Sequence, residues 1–247
     1  DDILEAYDMG ENSIIEICIK RFGAIRMEFP QWLQGGPFLE VGFLLDIKEN
    51  KRKTIQNIIE LLSKIRYTVE TVDKNIEEII DSFDRGYPYD EEDPQTDYIH
   101  SLNLRLYVYL TRKRKGTLQI EKVSSNSIMV NFLFEGSIFE ASGWEQIGIK
   151  NDEINDFTSF LIELYSVYDF IIGGCAIEND VLELFECGET YPNECYCFEN
   201  VSPDYFLKEP SYFINIIWNE KYKELSYVPY NHKRLVRKGI IIEISEE

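Results

Sequence analysis

The chain has 247 residues, a formal net charge of −20, 44% apolar residues and 14% aromatic residues. That content is ample for a core and excludes an intrinsically disordered acidic chain, and no apolar run reaches the roughly 18 residues that a membrane-spanning helix needs. A field of this sign repels nucleic acid and anionic membranes and attracts cationic partners, so neither nucleic acid nor membrane is an expected partner.

The length suits one large domain or two small ones. No segment reads as a linker, so a single domain over 1–247 is expected, with any subdivision falling near residue 125. The start, Asp1-Asp2-Ile3-Leu4-Glu5, has neither a basic nor an apolar leader region, so no secretion signal is expected. Cys18, Cys175, Cys187, Cys195 and Cys197 form an odd, irregularly spaced set, which reads as free thiols in a reducing cytoplasm.

In chain order, residues 14–20 alternate as a strand with Ile15, Ile17 and Ile19 on one face. Trp32, Gln34, Gly35, Gly36 and Pro37 mark a turn. Phe38 to Ile47 is a strand apolar enough to be buried on both faces. A helix follows from about Asn50 to Ile65, striped by Ile55, Ile58, Ile59, Leu62 and Ile65. Lys51, Arg52 and Lys53 oppose its dipole at the positive end, so acids nearby are expected to compensate. Tyr67 to Val72 returns as a strand and completes β-α-β. Asn75 with Glu78 predicts a capping box for a short helix carrying Ile76, Ile79, Ile80 and Phe83.

Arg85 to His100 reads as a long loop. Leu104, Leu106, Val108 and Leu110 alternate with polar or amphipathic residues, and Arg112 to Gly116 then turns the chain into a strand over 117–123. Another strand spans Ile128 to Glu135, and a helix spans Asn151 to Tyr168. Phe170-Ile171-Ile172 is a strand, with Gly173-Gly174 a bulge or a close backbone approach. Val181, Leu182, Leu184 and Phe185 read as a further strand, and Glu186 to Phe198 as a loop. Ser202 and Pro203 suit N-cap and N1 of a helical turn. Tyr212–Trp218 and Lys223–Val228 suggest a hairpin, and Gly239 leads into a last strand, 240–244. The fold class expected is α+β: a mostly antiparallel sheet carrying two main amphipathic helices. The strand–helix–strand order at 38–72 recurs at 128–172, compatible with a degenerate duplication of a β-α-β unit.

Few constellations suggest chemistry. Cys187, Cys195 and Cys197 would need Cys175 or His232 to complete a zinc set, and the spacing lacks paired knuckles, so no metal is expected. His100 and His232 stand outside any catalytic motif. Asp46-Ile47-Lys48 has the D-x-K form of metal-dependent nucleases, with Glu40 or Asp73 as a second acid, yet the net charge opposes a nucleic-acid substrate. Neither Gly35-Gly36 nor Gly173-Gly174 opens a helix, so no phosphate cradle and no cofactor is expected. Two basic clusters, Arg112–Lys115 and the group Lys233, Arg234, Arg237 and Lys238, read as solvated turns. The separation of acids from bases favours oriented docking or self-association.

Residues 151–207 contain thirteen Asp and Glu and no Lys or Arg. Tyr165, Tyr168, Phe185, Tyr191, Tyr196, Phe198 and Tyr205 are interleaved with those acids, the mixture expected of interface anchors. The residues expected to bind a partner are Glu178, Asp180, Glu183, Glu186, Glu189, Tyr191 and Glu194.

The acidic, aromatic-rich segment around Trp144, 151–168 and 177–185, with no catalytic signature, resembles the bacterial immunity proteins of polymorphic toxin systems. That resemblance implies a cytoplasmic, non-enzymatic protein that inhibits a basic, nuclease-type toxin domain by covering its active site. The alternatives are a metal-dependent hydrolase built from clustered carboxylates, and a structural or self-assembling subunit joined through an apolar edge strand such as 240–244.

Overall fold

A computed structural model describes residues 32–33, 38–47, 50–135, 140–143, 146–148, 151–186, 194–208, 210 and 213–244. The expected strand over 14–20, the turn at 34–37, and Trp144, Cys187, Glu189 and Tyr191 lie outside the described residues.

Among the described residues the chain is α+β around one antiparallel sheet of nine strands. Across the sheet these are β12 (Asn231–Arg234), β13 (Gly239–Glu243), β11 (Phe213–Asn219), β10 (Ile172–Ile177), β1 (Phe38–Asp46), β7 (Ser127–Glu135), β6 (Lys113–Lys122), β5 (Ser101–Tyr109) and β2 (Thr68–Thr71). Two small hairpins stand apart: β3 (Tyr87–Pro88) with β4 (Tyr98–Ile99), and β8 (Glu140–Gly143) with β9 (Gln146–Gly148). Helices α1 (Lys51–Leu61), α2 (Ile76–Arg85) and α3 (Asn151–Tyr168) share a core with one sheet face, and α4 (Pro203–Phe206) belongs to the other side.

Alternation along β1 sorts the two sides, because successive side chains point to opposite faces. Leu39, Val41 and Phe43 join Ile55, Ile58, Phe83, Phe157, Phe160 and Leu164 beneath the helices. Leu44 joins Ile172, Val181, Leu184, Phe185, Phe206 and Trp218 on the opposite face. The segment after β10 therefore covers the face that α3 does not.

Both strand–helix–strand crossings are present, and each joins parallel strands, since every pairing between them is antiparallel. They are not equivalent. The crossing from β1 to β2 passes over β7, β6 and β5, whereas that from β7 to β10 passes over β1 alone.

Several expectations are corrected. Lys51, Arg52 and Lys53 do open α1, and Arg52 is compensated by Glu77 and Asp81 of α2. The capping box does not form: Asn75 Nδ2 donates to Glu78 Oε2 at 3.1 Å, and neither side chain caps the backbone. The loop over 85–100 is organised as the β3–β4 hairpin, extended by a bond from the Tyr89 N–H to the Asp97 carbonyl at 2.8 Å. Val181–Leu184 is a 3₁₀ turn rather than a strand, because the Asp180 carboxylate accepts the Leu182 N–H at 2.7 Å and coils the chain. The predicted partner of β11 over 223–228 is not a strand; β11 lies between β10 and β13.

Among the described residues the sheet edges are β2 and β12, so the apolar 240–244 segment, paired on both sides, is not an edge strand. Both edge strands are four residues long and carry polar or charged groups, which discourages edge-to-edge pairing. Among the described residues no helix is long and apolar enough to cross a membrane.

Candidate functional site

The sheet divides the acidic stretch in two, and the halves differ in what their carboxylates meet. On α3, Glu153 is buried against Arg114 at 2.6 Å, with Arg112 at 3.9 Å. Glu163 accepts the Arg66 N–H at 2.9 Å and lies 3.8 Å from its guanidinium. Asp156 accepts the Thr111 hydroxyl at 2.7 Å. Asp169, just past the helix, pairs with Lys221 at 2.5 Å. These acids are engaged by the chain's own residues on β6, in the β5–β6 turn and beside β2 and β11.

Beyond β10 the arrangement is different. Glu178 adopts φ 54°, and its N–H donates to the Phe38 carbonyl at 2.8 Å, anchoring the turn to β1. Asp180 begins the 3₁₀ turn, whose Val181 and Leu184 are buried while Glu183 faces water. Phe185 is buried and Glu186 is exposed. Glu186 then lines a shallow cleft of about 270 Å³ with Ser202, Asp204, Tyr205 and Lys208. Glu178, Glu183 and Glu186 are all exposed, and among the described residues none makes an ion pair. These three exposed acids, here termed the ridge, lie on and just past a turn anchored to the core.

Two other predicted residues, Glu194 and Asp180, are hydrogen-bonded within the chain. Glu194 accepts the Ser125 N–H at 3.0 Å, the Ser125 hydroxyl at 2.6 Å and the Cys197 thiol at 3.0 Å. Those bonds, the Ser125 hydroxyl first, hold its carboxyl below the usual range. Glu194 thus fastens residues 194–200 to the β6–β7 turn, as Glu199 does through Asn126 at 2.8 Å. Asp180 is a turn cap first and a surface charge second. Glu189 and Tyr191 lie outside the described residues.

Of the expected aromatic anchors, Tyr165, Tyr168 and Phe185 are buried, while Tyr196, Phe198 and Tyr205 are half-buried. Tyr165 donates to the Arg237 carbonyl at 3.2 Å and Tyr168 to the Ile58 carbonyl at 2.7 Å, both under the helix layer. Phe185 is buried against Tyr196. Tyr205 alone stands half-buried beside Glu186 in the cleft.

No protein-family model, curated protein or solved structure matches the chain.

The remaining constellations do not assemble. Glu40 and Asp46 lie six residues apart on one strand, roughly 20 Å by strand rise, Asp73 is held by Arg105 at 2.6 Å, and Lys48 lies outside the described residues. Among the described residues no three His, Cys, Asp or Glu side chains converge as a metal-ligating group. Cys175 is buried under the helices, where burial pushes its thiol well up, while Cys197 is half-buried beside Ser125 on the far face. Cys195 is disulfide-bonded, so the expectation of free thiols fails there. His100 is a structural residue: its Nδ1–H donates to the Phe83 carbonyl at 2.8 Å and its Nε2 accepts from Lys51 at 3.1 Å.

Most side chains of the two basic clusters have acidic partners within the chain. Only Leu110 to Arg112 form the turn, and Arg114 and Lys115 are β6 residues. Lys113 lies over the Tyr107 ring at 3.8 Å and beside Glu70 at 3.7 Å. Lys115 faces Glu135 at 3.8 Å, Arg234 meets Glu220 at 2.5 Å and Lys233 meets Glu243 at 2.7 Å.

Sequence reasoning passed over Glu40 as a site residue in its own right. It sits in the central strand of the sheet, half-buried, with its carboxyl raised to about 7. Burial is the main cause, the Asp180 and Glu178 carboxylates add to it, and a hydrogen bond from Asn131 opposes it. The signal was available: Glu40 is the one ionisable side chain inside the apolar run Phe38–Leu45.

Proposed function

We propose that the chain is a non-catalytic binding protein, of the immunity type, that inhibits a basic toxin domain by seating it on the Glu178–Glu186 ridge. The observation that carries this reading is the contrast within one acidic stretch. The α3 acids are tied to the chain's own Arg66, Arg112 and Arg114, while Glu178, Glu183 and Glu186 are exposed without an ion pair among the described residues. Carboxylates on a rigid turn steer a cationic surface and match the Lys and Arg with which a nuclease holds phosphate. The cleft beside Glu186 is polar, lined by Ser202, Asp204 and Lys208, with the Tyr205 ring as its one aromatic wall.

Stopped-flow association with a fluorescent hexa-arginine peptide tests the proposal. The on-rate should fall steeply between 20 and 200 mM salt (about one to two decades for a steered encounter). Replacing Glu178, Glu183 and Glu186 together with Gln should flatten that dependence. An unchanged salt profile in the triple variant would remove the ridge from the binding surface. A hydrolase reading draws on one observation, the near-neutral carboxyl of Glu40, since a general acid or base works best with a pKa near the operating pH.

A further inference from the structure

The cleft next to the ridge is walled by two short segments, each pinned to the core by a phenylalanine. Phe185, buried against the Tyr196 ring, fixes the chain just before Glu186. Phe206, buried against the Trp218 ring, fixes α4 and with it the wall that runs from Ser202 to Lys208. The backbone of that wall is held by its own bonds, from the Tyr205 N–H to the Ser202 carbonyl at 3.1 Å and from the Lys208 N–H to the Tyr205 carbonyl at 2.9 Å. Its side chains are not held in the same way. Among the described residues the Glu186 carboxylate, the Lys208 ammonium and the Ser202 and Tyr205 hydroxyls make no hydrogen bond or ion pair. Of the five lining residues only Asp204 is engaged, by Lys223 at 3.4 Å.

Glu186 and Lys208 thus face one opening with opposite charges and do not pair across it, whereas Lys221 meets Asp169 and Lys233 meets Glu243 nearby on the surface. A lone cation entering the cleft meets Lys208 as a like charge, and a lone anion meets Glu186. A molecule that carries an ammonium and a carboxylate together satisfies both, through charge-assisted hydrogen bonds at each end. The volume, about 270 Å³, falls just below the roughly 300–1,000 Å³ of drug-sized ligand sites, which suits a ligand of about a dozen heavy atoms. We propose that the cleft binds a free α-amino acid, its ammonium on Glu186, its carboxylate on Lys208 and the Ser202 hydroxyl, and its side chain along the Tyr205 ring. An aromatic side chain gains most from that wall. The site goes beyond the ridge reading and shares only Glu186 with it.

NMR titration of the full chain, read at the backbone amides of Glu186, Ser202 and residues 204–208, tests the site with L-phenylalanine and two analogues that keep the ring and one charge each, phenethylamine and hydrocinnamate. L-phenylalanine should shift those amides and half-saturate at about 1–10 mM, the range open to so small a ligand. Each analogue should bind about five- to tenfold more weakly, having lost one charge-assisted contact. Lys208→Gln should bring phenethylamine level with the amino acid, and Glu186→Gln should do the same for hydrocinnamate. Both side chains are exposed, so neither change threatens the fold. Phenethylamine binding the wild type as tightly as L-phenylalanine overturns the assignment and leaves a cation site that belongs to the ridge. No saturable shift below about 50 mM, or L-phenylalanine binding Lys208→Gln as tightly as wild type, overturns the site outright. Lys208 is no part of the ridge, so amino-acid binding lost in Lys208→Gln while hexa-arginine still binds separates the two sites.

Discussion

Glu153→Ala is the sharpest test of the claim that α3's acids are structural. The Arg114 and Glu153 side chains are 6% and 7% accessible and meet at 2.6 Å, with the Arg114 guanidinium 5.8 Å from the Phe157 ring. Deleting the carboxylate leaves a guanidinium in the dry layer between helix and sheet. Breaking one side of a buried pair costs about 3–5 kcal/mol. With a urea m-value of about 3 kcal/mol per molar, the upper end expected of small proteins, the midpoint should fall by about 1–1.7 M with m unchanged. The exposed Arg66–Glu163 contact, at 3.8 Å with Arg66 60% accessible, sets the contrast. A pair of that kind is worth at most about 1 kcal/mol. The double variant Arg114→Met with Glu153→Leu should recover most of the loss, since an apolar pair of similar volume needs no desolvation of charge. Urea unfolding followed through tryptophan fluorescence measures all three. A loss below about 1 kcal/mol for Glu153→Ala, well under the range for a buried pair, or a double variant as unstable as the single, would refute the reasoning.

Glu40 makes stability pH-dependent with a definite sign. Burial raises its folded carboxyl to about 7 from an ordinary 4.5, so the folded state binds more protons and stability falls as pH rises from 4.5 to 7. The full drop is about 3 kcal/mol. Glu40→Gln should therefore match wild type at pH 4 and exceed it at pH 8, by urea unfolding, and equal stability at pH 8 would contradict the assignment. For the cysteines, a thiol reagent should label Cys197 in the native protein and Cys175 only on unfolding, read by mass spectrometry. Cys195 should stay unlabelled until a reductant is added, and opening of its disulfide in a glutathione buffer would fit a cytoplasmic protein. Gly86→Ala should destabilise by about 1–3 kcal/mol in thermal unfolding, because Gly86 has φ 70° and a Cβ there would meet the His100 ring at 2.6 Å.

The elements legible in the sequence were those fixed by period and by local chemistry. The isoleucine stripe of α1, the alternation of β5 and the Ser202-Pro203 start of α4 all stand as read. Val181–Leu184 misled because β-branched and apolar residues favour a strand, while one hydrogen bond from the Leu182 N–H to the Asp180 carboxylate decides for a turn. The acidic segment misled for a different reason. Linear charge counting cannot see a sheet, and β10 sends α3 and the ridge to opposite faces. Arg114 was read as solvated from its basic neighbours, but strand alternation turns it beneath α3. Asn131 was illegible because its relevance comes only from the register that sets it across from Gly42.

The central claim is that position, not total charge, decides where a cationic partner sits. It is tested most directly by comparing two variants of equal charge change for hexa-arginine affinity at 100 mM salt. One replaces Glu178, Glu183 and Glu186 with Gln; the other replaces Glu60, Glu91 and Glu92, which are exposed on α1 and in the β3–β4 hairpin. The ridge variant should lose about tenfold or more, and the control less than about twofold, because exposed charges beyond a Debye length are screened. Equal losses in the two would contradict the account.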